Sequence, residues 1–457
     1  MELKLAVDMS RHYRNGNIMY IFKDIPYWFV ASGETDDLMS KLEEGISEER
    51  IINSMDFSTK TFVEELIQCG IVSKDKQIQG ALERYSPQKR IGKVYDVAEF
   101  ELTLGCNLRC KHCYISAGVS NRDNLTLREI EDTLDDLYEI NKEDIRGKRI
   151  VLTGGEPFQR KDLLSIVDSI RKRKFTTMIN SNGLLIENDQ MNYFSNSEDV
   201  QICVSLDGTQ ESHEEIRGKG TYYPTLEKIK ELSKRGVPVA INMLCHQGNY
   251  KELGSLIEDT KDINLQGINP VPVVLMGRAK ENHLDSVPEK ELYQEIFKII
   301  KESPSSISRF NKVSLLNFMT ALAVNVKSNY CGTGTRGTYF ISNIGEVYPC
   351  PNMRFNQFNL GNIRKKPFSQ IIGGNSIIET LKCLNVDNLN EKCKNCEVKY
   401  FCGGFCRGET FANTGDLYAP YIRCEDYHEG ILEAMWELSE NPLIIKGKVE
   451  EFLENIK

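Results

Sequence analysis

From Val97 to Asn311, short strand-like runs alternate with amphipathic segments of helix length. The strand-like runs lie near Phe100–Leu104, Ile150–Thr153, Thr177–Asn180, Ile202–Leu206, Val239–Leu244 and Gly267–Val271, and segments such as Thr126–Asn141 and Tyr223–Arg235 separate them. Six such units commit this part of the chain to an α/β fold, because parallel neighbours need a crossover of helix length between them. The sheet is then open, or curved into part of a barrel. In such folds chemistry gathers in the loops that follow the C-terminal ends of the strands.

The first of these loops carries Gly105-Cys106-Asn107-Leu108-Arg109-Cys110-Lys111-His112-Cys113. Thiolates spaced C-x3-C-x2-C can hold three corners of a four-iron cubane and leave the fourth iron open to a substrate. A four-cysteine site is closed and suits electron transfer or structure. The chain has 14 cysteines in 457 residues, so such a triplet rarely arises by accident. Cys69, Cys203 and Cys245 sit in apolar segments and read as small core residues. The opening residues have no apolar core or cleavage site of a signal peptide. The expected compartment is therefore the cytoplasm, where reducing conditions favour metal ligation over disulfides. A net charge of -9 without any sustained basic face argues against nucleic acid as a partner. No apolar run approaches the ~18–20 residues that span a bilayer, so no membrane association is expected.

Residues 1–85 read as a small α+β unit. Strands are expected at Asn17–Phe22 and Tyr27–Ala31 around a Pro-containing turn, and helices over Asp36–Glu44, from Ser47 onward, and around Phe62–Ile67, the last stopped by Gly70. A polar stretch from Lys74 to Gly92 reads as a linker. The parallel sheet occupies 95–311. From 326 to 457 the pattern shifts to short turns rich in Gly, Asn and Cys, followed by a charged helix or two from Glu425. Cys393-x2-Cys396-x5-Cys402-x3-Cys406 dominates this region, with Cys331 and Cys350 upstream and Cys424 downstream. So little apolar sequence implies metal sites that hold the segment together. Seven cysteines cannot fill two four-cysteine sites. Either one position is open or taken by another ligand, or Cys383 supplies the eighth. Zinc competes for C-x2-C pairs, but the first triplet already points to iron–sulfur chemistry. Gly332-Thr333-Gly334-Thr335-Arg336-Gly337 matches G-x-G-x-x-G, yet a strand-like run follows it where a nucleotide site needs a helix, so no nucleotide site is expected there.

Taken together, these residues resemble the radical S-adenosylmethionine (SAM) superfamily. Cys106-x3-Cys110-x-His112-Cys113 fits its signature, with His112 in the ring position beside the adenine. Gly154-Gly155-Glu156-Pro157, after strand two, matches the loop that presents backbone groups to the methionine amino group. Asn180, in Asn180-Ser181-Asn182-Gly183 after strand three, and Ser205 and Asp207, in Ser205-Leu206-Asp207-Gly208 after strand four, are implied SAM-binding positions, with Ser205 and its neighbours on the ribose. Arg217 resembles the arginine that pairs with the methionine carboxylate, and His213 reads equally as a cap. The late cysteines are similar to the SPASM domain and its two auxiliary [4Fe–4S] clusters. The resemblance places Cys331, Cys350 and Cys406 on the first, whose fourth ligand stays open, and Cys393, Cys396, Cys402 and Cys424 on the second. Residues 1–85 look like a winged-helix-like recognition element that grips the leader of a ribosomally made precursor peptide, by β-augmentation at a sheet edge.

The implied fold is a partial (β/α)6 TIM-like barrel between an N-terminal winged-helix-like domain and a C-terminal iron–sulfur domain. The implied cofactors are three [4Fe–4S] clusters and SAM, reductively cleaved to a 5′-deoxyadenosyl radical with an electron from an external flavodoxin or ferredoxin. The expected activity is peptide maturation of the sactipeptide or ranthipeptide kind, with thioether links from cysteine sulfur to carbon. The alternatives are carbon–carbon cross-linking or epimerisation of such a peptide, formylglycine formation in a sulfatase, or, without enzyme activity, a ferredoxin-like electron carrier or leader-binding scaffold.

Overall fold

The computed structural model describes residues 2–50, 56–73, 95–119, 123–145, 147–310, 315–328, 331, 338–442, 446 and 450. The linker expected at 74–92 and the glycine-rich run 332–337 lie outside the described residues. The central sheet contains β7 (Tyr95–Glu101), β8 (Lys148–Thr153), β9 (Thr176–Ser181), β10 (Val200–Ser205), β11 (Val239–Cys245) and β12 (Gly267–Pro272). These six are parallel and lie side by side in chain order. With right-handed crossovers throughout, the helices then cover one face of the sheet and leave the other free to curve around a cavity. The strand pattern records this on β9: Thr177, Ile179 and Ser181 are buried, while Thr176, Met178 and Asn180 are partly open. The expected α/β partial barrel is the architecture observed.

The sheet does not stop at β7. Strand β13 (Tyr339–Ile341) pairs with it in parallel, Tyr339 opposite Ala98, and β14 (Glu346–Tyr348) and β15 (Gly361–Asn362) continue as an antiparallel extension. Nine strands thus form one sheet, and the cysteine-rich region is stitched onto the first barrel strand through its backbone.

Near the N-terminus, β2 (Met9–Arg14), β3 (Asn17–Phe22) and β4 (Tyr27–Ser32) form an antiparallel meander. Beside it, β1 (Glu2–Leu5) pairs with β5 (Ile46–Ser47) and β6 (Val72–Ser73). The Ser47 hydroxyl accepts from Arg50 N, as a cap would, and Asp56 caps the helix Phe57–Gln68. Strand β3 is buried on both faces, and its period of two divides them. Ile18, Tyr20 and Phe22 enter the small core of this unit, whereas Met19 and Ile21 enter the main core. Trp28 and Val30 on β4 also pack against the main core. The Trp28 indole donates to the Leu322 carbonyl (2.9 Å), and the Arg14 guanidinium pairs with Glu433 (2.6 Å) while lying over Trp436. The meander therefore docks face-on against the helix Cys424–Glu440.

One backbone seam positions the site. Gly155 N donates to Thr103 O (2.7 Å) and Glu156 N to Gly105 O (2.9 Å), so the loop after β8 is laced to the loop after β7. A Cβ on Gly154 (φ +128°) would strike the Thr103 carbonyl, and one on Gly155 the Gly105 carbonyl. Both collisions are with backbone, which no rotamer change relieves. Gly155→Ala should therefore lower stability by about 1–3 kcal/mol, read as a shift of the urea unfolding midpoint, and unchanged unfolding would show that the seam yields freely.

Candidate functional site

The cysteine loop is shaped before any ligand reaches it. Cys106 N donates to Gly118 O (3.1 Å), Gly118 N to Leu104 O (2.8 Å), and Leu108 N and Ala117 N point at the sulfurs of Cys106 (3.4 Å) and Cys113 (3.3 Å). Backbone N–H groups aimed at sulfur favour its thiolate form. Arg278, beyond β12, clamps the loop from the far side. Its Nε reaches Cys110 O (2.9 Å), one terminal nitrogen reaches Ala117 O (2.7 Å), and its own N–H reaches Cys113 O (3.0 Å).

Cys106, Cys110 and Cys113 line a cavity of about 290 Å³ at the C-terminal rim of the barrel, together with His112, Gly154, Gly155, Asn180, Ser205 and Arg217. These nine positions were all anticipated from sequence. Burial pushes the Cys106 thiol up to about 11, the Leu108 N–H opposing it. It raises Cys110 as well, the Arg217 cation opposing it. Without a metal, the Cys106 and Cys110 sulfurs thus hold protons, which metal ligation displaces. His112 is driven down to about 3 by burial, assisted by Arg217, so its ring is neutral. Its Nδ1 is buried without a hydrogen-bond partner, an atom whose natural partner is a donor on a bound molecule. Three thiols on one rim, an unsatisfied ring nitrogen and a glycine-walled opening fit a cluster with a small polar ligand on its open iron.

Three anticipated residues face elsewhere. The Glu156 carboxylate turns away from the cavity and accepts from Ser181 Oγ (2.8 Å), Asn182 N (2.8 Å) and Phe158 N (3.1 Å). Burial raises its pKa to about 7 against these donors. Its place in the motif is that of a brace between the loops after β8 and β9. Pro157 is buried at the start of the short turn Pro157–Gln159. Asp207 is buried too, and Arg217 grips it through Nε (2.5 Å) and a terminal nitrogen (3.2 Å). Burial acts to raise the Asp207 carboxyl, but Arg217 outweighs it and holds it at about 2. Arg217 reaches the cavity wall with most of its fork already engaged. His213 accepts from Asp207 N through Nδ1 (3.2 Å) and belongs to this brace.

Sequence reasoning missed Arg278, Asn242, Asn269 and Glu99. Asn180, Asn242 and Asn269 form a polar ladder across β9, β11 and β12. Glu99 lines the cavity from β7, and burial raises its carboxyl to about 7. One signal for Arg278 was present, since it follows a glycine in the loop after the sixth strand. Gly277 packs so closely on the carbonyls of Cys113 and Tyr114 that a Cβ has no room.

A second cavity, of about 350 Å³, is lined by Cys393, Cys396, Cys402 and Cys424, with Lys399 and His428 in its wall. Burial pushes Cys396 up to about 11 and Cys402 to about 12. Among the described residues, no three His, Cys, Asp or Glu side chains converge closely enough to hold one metal ion. A structural zinc needs four sulfurs ~2.3 Å from a single centre, whereas a cubane takes each thiolate on a different iron. Four cysteines spread around a cavity of this size fit the cubane. Cys406 lies near Cys331, and its sulfur accepts from Asn352 Nδ2 and Glu409 N (both 3.4 Å), with Cys350 two residues before Asn352. Cys383 is exposed at the end of the helix Ser376–Lys382 and does not line the four-cysteine cavity. Among the described residues, no helix is long and apolar enough to cross a membrane.

Comparison with known proteins agrees with this geometry. Residues 100–259 match the Radical SAM superfamily, and residues 331–397 match SPASM, an iron–sulfur cluster-binding domain. An AdoMet-dependent heme synthase of Methanosarcina barkeri is 28% identical over 72% of this chain and 94% of its own. The subtilosin biosynthesis protein AlbA of Bacillus subtilis is 26% identical over 67% of this chain and 66% of its own. The crystal structure of SuiB from Streptococcus suis bound to its precursor peptide SuiA superposes with a TM-score of 0.58 at 14% identity, over 93% of this chain and all of that one. Residues 100–259 thus carry a radical SAM domain and residues 331–397 an iron–sulfur SPASM domain, and the chain is an enzyme.

Proposed function

We propose that this enzyme matures a ribosomally made precursor peptide, gripping its leader through residues 1–85 and forming thioether links from cysteine sulfur to carbon. The observation that carries the proposal is the union in one chain of three parts: the open three-cysteine rim, a separate four-cysteine cavity, and a docked antiparallel meander. A carrier or scaffold has no use for the first. A sulfatase-directed enzyme has no need of the third.

The first-matched relative makes heme, so tetrapyrrole chemistry is the natural rival. Its match uses 94% of the heme synthase but 72% of this chain, which leaves that protein little length for a counterpart of the remaining residues. The SuiB fold, by contrast, accounts for 93% of this chain. That shared fold over most of the chain supports a peptide substrate.

In this proposal Cys106, Cys110 and Cys113 would hold a [4Fe–4S] cluster that, with SAM and one electron from a flavodoxin or ferredoxin, would supply a 5′-deoxyadenosyl radical. Arg278 and the 103–105/154–156 seam fix the loop that carries those thiolates. His112 presents its bare Nδ1 to the adenine, and Ser205 and Asn180 offer polar contacts to the sugar. The Asp207 carboxylate holds Arg217 at the wall, where its remaining donors meet the methionine carboxylate. Glu99 gives the cavity a group able to take a proton from the substrate. Cys331, Cys350 and Cys406 would hold a second cluster and the four-cysteine cavity a third. Once the radical has taken a hydrogen atom from carbon and the thiol has lost its proton, closing the C–S bond leaves one electron, which these clusters would accept.

Replacing Cys106, Cys110 and Cys113 together by alanine should abolish 5′-deoxyadenosine formation from SAM under dithionite, and its persistence would sink the radical mechanism. Anaerobic reconstitution should yield about 12 irons per chain, falling by about four when Cys393, Cys396, Cys402 and Cys424 become alanine. A wild-type value near four would rule out the auxiliary clusters. Hydrogen exchange with a candidate precursor peptide, taken from a short open reading frame near the gene, should show slowed amides in residues 9–32. If exchange there is unaltered while the peptide is still modified, the leader is gripped elsewhere.

A further inference from the structure

The N-terminal meander touches the cysteine-rich region at particular places. His12 on β2 donates to Glu397 (2.9 Å), and His428, in the wall of the four-cysteine cavity, donates to the same carboxylate oxygen (3.1 Å). Lys23 reaches Asn395 (3.4 Å), and Asp24 faces Lys399 (3.9 Å), another wall residue. Residues 395, 397 and 399 all lie within the segment 393–402, which supplies three of the four cysteines. The fourth, Cys424, opens the helix Cys424–Glu440, which is the element that Arg14 grips through Glu433 and Trp436. Both elements that carry the four cysteines are therefore the docking surface of the meander.

Nothing in the assignment of clusters to cysteines requires this. A cubane site needs its own loop and helix, and a leader-binding unit needs only a tether. Here the outer wall of one is the contact face of the other. The contacts are also arranged in chains, His12–Glu397–His428 and Asp24–Lys399, that begin on the meander and end at the cavity.

We infer that docking of the N-terminal meander and occupancy of the four-cysteine cavity are thermodynamically coupled, with His12 and Arg14 as positioning residues for the bound cluster. The inference rests on the proposal that Cys393, Cys396, Cys402 and Cys424 hold a [4Fe–4S] cluster. Linkage is reciprocal: whatever fixes the segment 393–402 against the helix favours the docked meander, and whatever frees the meander loosens the cluster. A partner that binds the meander thereby acts on the environment of a metal centre it never touches.

The test uses the full-length protein, loaded anaerobically with iron and sulfide and then challenged with excess EDTA. Iron release is followed by visible absorption and by iron analysis. In His12→Ala/Arg14→Ala, about four irons per chain should leave at least roughly fivefold faster than in wild type. Arg11→Ala is the control. It removes ion pairs to Asp36 and Glu43 on the same strand but inside the N-terminal unit, and it should release iron as wild type does. In the reverse direction, amides of residues 9–22 should exchange more slowly in loaded than in iron-free wild-type protein. Release by the double variant at the wild-type rate, or equal acceleration by Arg11→Ala, overturns the coupling. Replacing Cys393, Cys396, Cys402 and Cys424 together by alanine separates the two levels. If it lowers the iron content while the double variant releases normally, the coupling alone fails. If it leaves the iron content unchanged, the cluster assignment fails and takes the coupling with it.

Discussion

The site depends on the backbone seam between Thr103–Gly105 and Gly154–Glu156. Two loops from adjacent parallel strands meet there without side chains between them, because both contact positions on the second loop are glycine. That closeness fixes the cysteine loop against the barrel rim, and the remaining braces follow from it. Glu156 leaves the seam to gather the loop after β9, Asp207 and Arg217 secure the loop after β10, and Arg278 returns from beyond β12 to close the ring on the cysteine loop itself. Each brace is a buried or half-buried polar group whose partners are loops. The rim is therefore held by hydrogen bonds and charge, while the strands beneath it are held by apolar packing.

Much of this was legible in the sequence for a physical reason. Parallel strands are short, largely apolar runs, and six of them separated by helix-length segments admit few topologies. The cysteine spacings carry their meaning locally, because ligands on one loop must be close in sequence to share a cluster. Tertiary arrangements were less legible. Arg278 lies 165 residues after Cys113, and no spacing rule connects them. Glu156 and Asp207 belong to recognisable motifs, but motif membership does not say whether a carboxylate faces the cavity or a neighbouring loop; burial and the available donors decide that.

The same contrast holds at the N-terminus. The apolar runs of Asn17–Phe22 and Tyr27–Ala31 around a Pro-containing turn mark two strands, but both faces of β3 are apolar, and sequence does not tell which face is an internal core and which is a docking surface. Met19 and Ile21 resolve this only in three dimensions, by entering the main core while Ile18, Tyr20 and Phe22 stay in the small one. Likewise, the joining of β13 to β7 depends on a parallel pairing across some 240 residues. That pairing makes the cysteine-rich region an extension of the barrel sheet rather than an appendage.

The continuous sheet also sets an order of events during synthesis. Strand β7 leaves the ribosome long before β13, so one of its edges stays uncovered while the whole barrel is made. The apolar outer face of the meander waits longer still, until the helix Cys424–Glu440 emerges. Unpaired strand edges and bare apolar faces invite association with other chains. The nascent protein thus carries two adhesive surfaces while the barrel is made, and they are covered only when β13 and the helix Cys424–Glu440 have emerged.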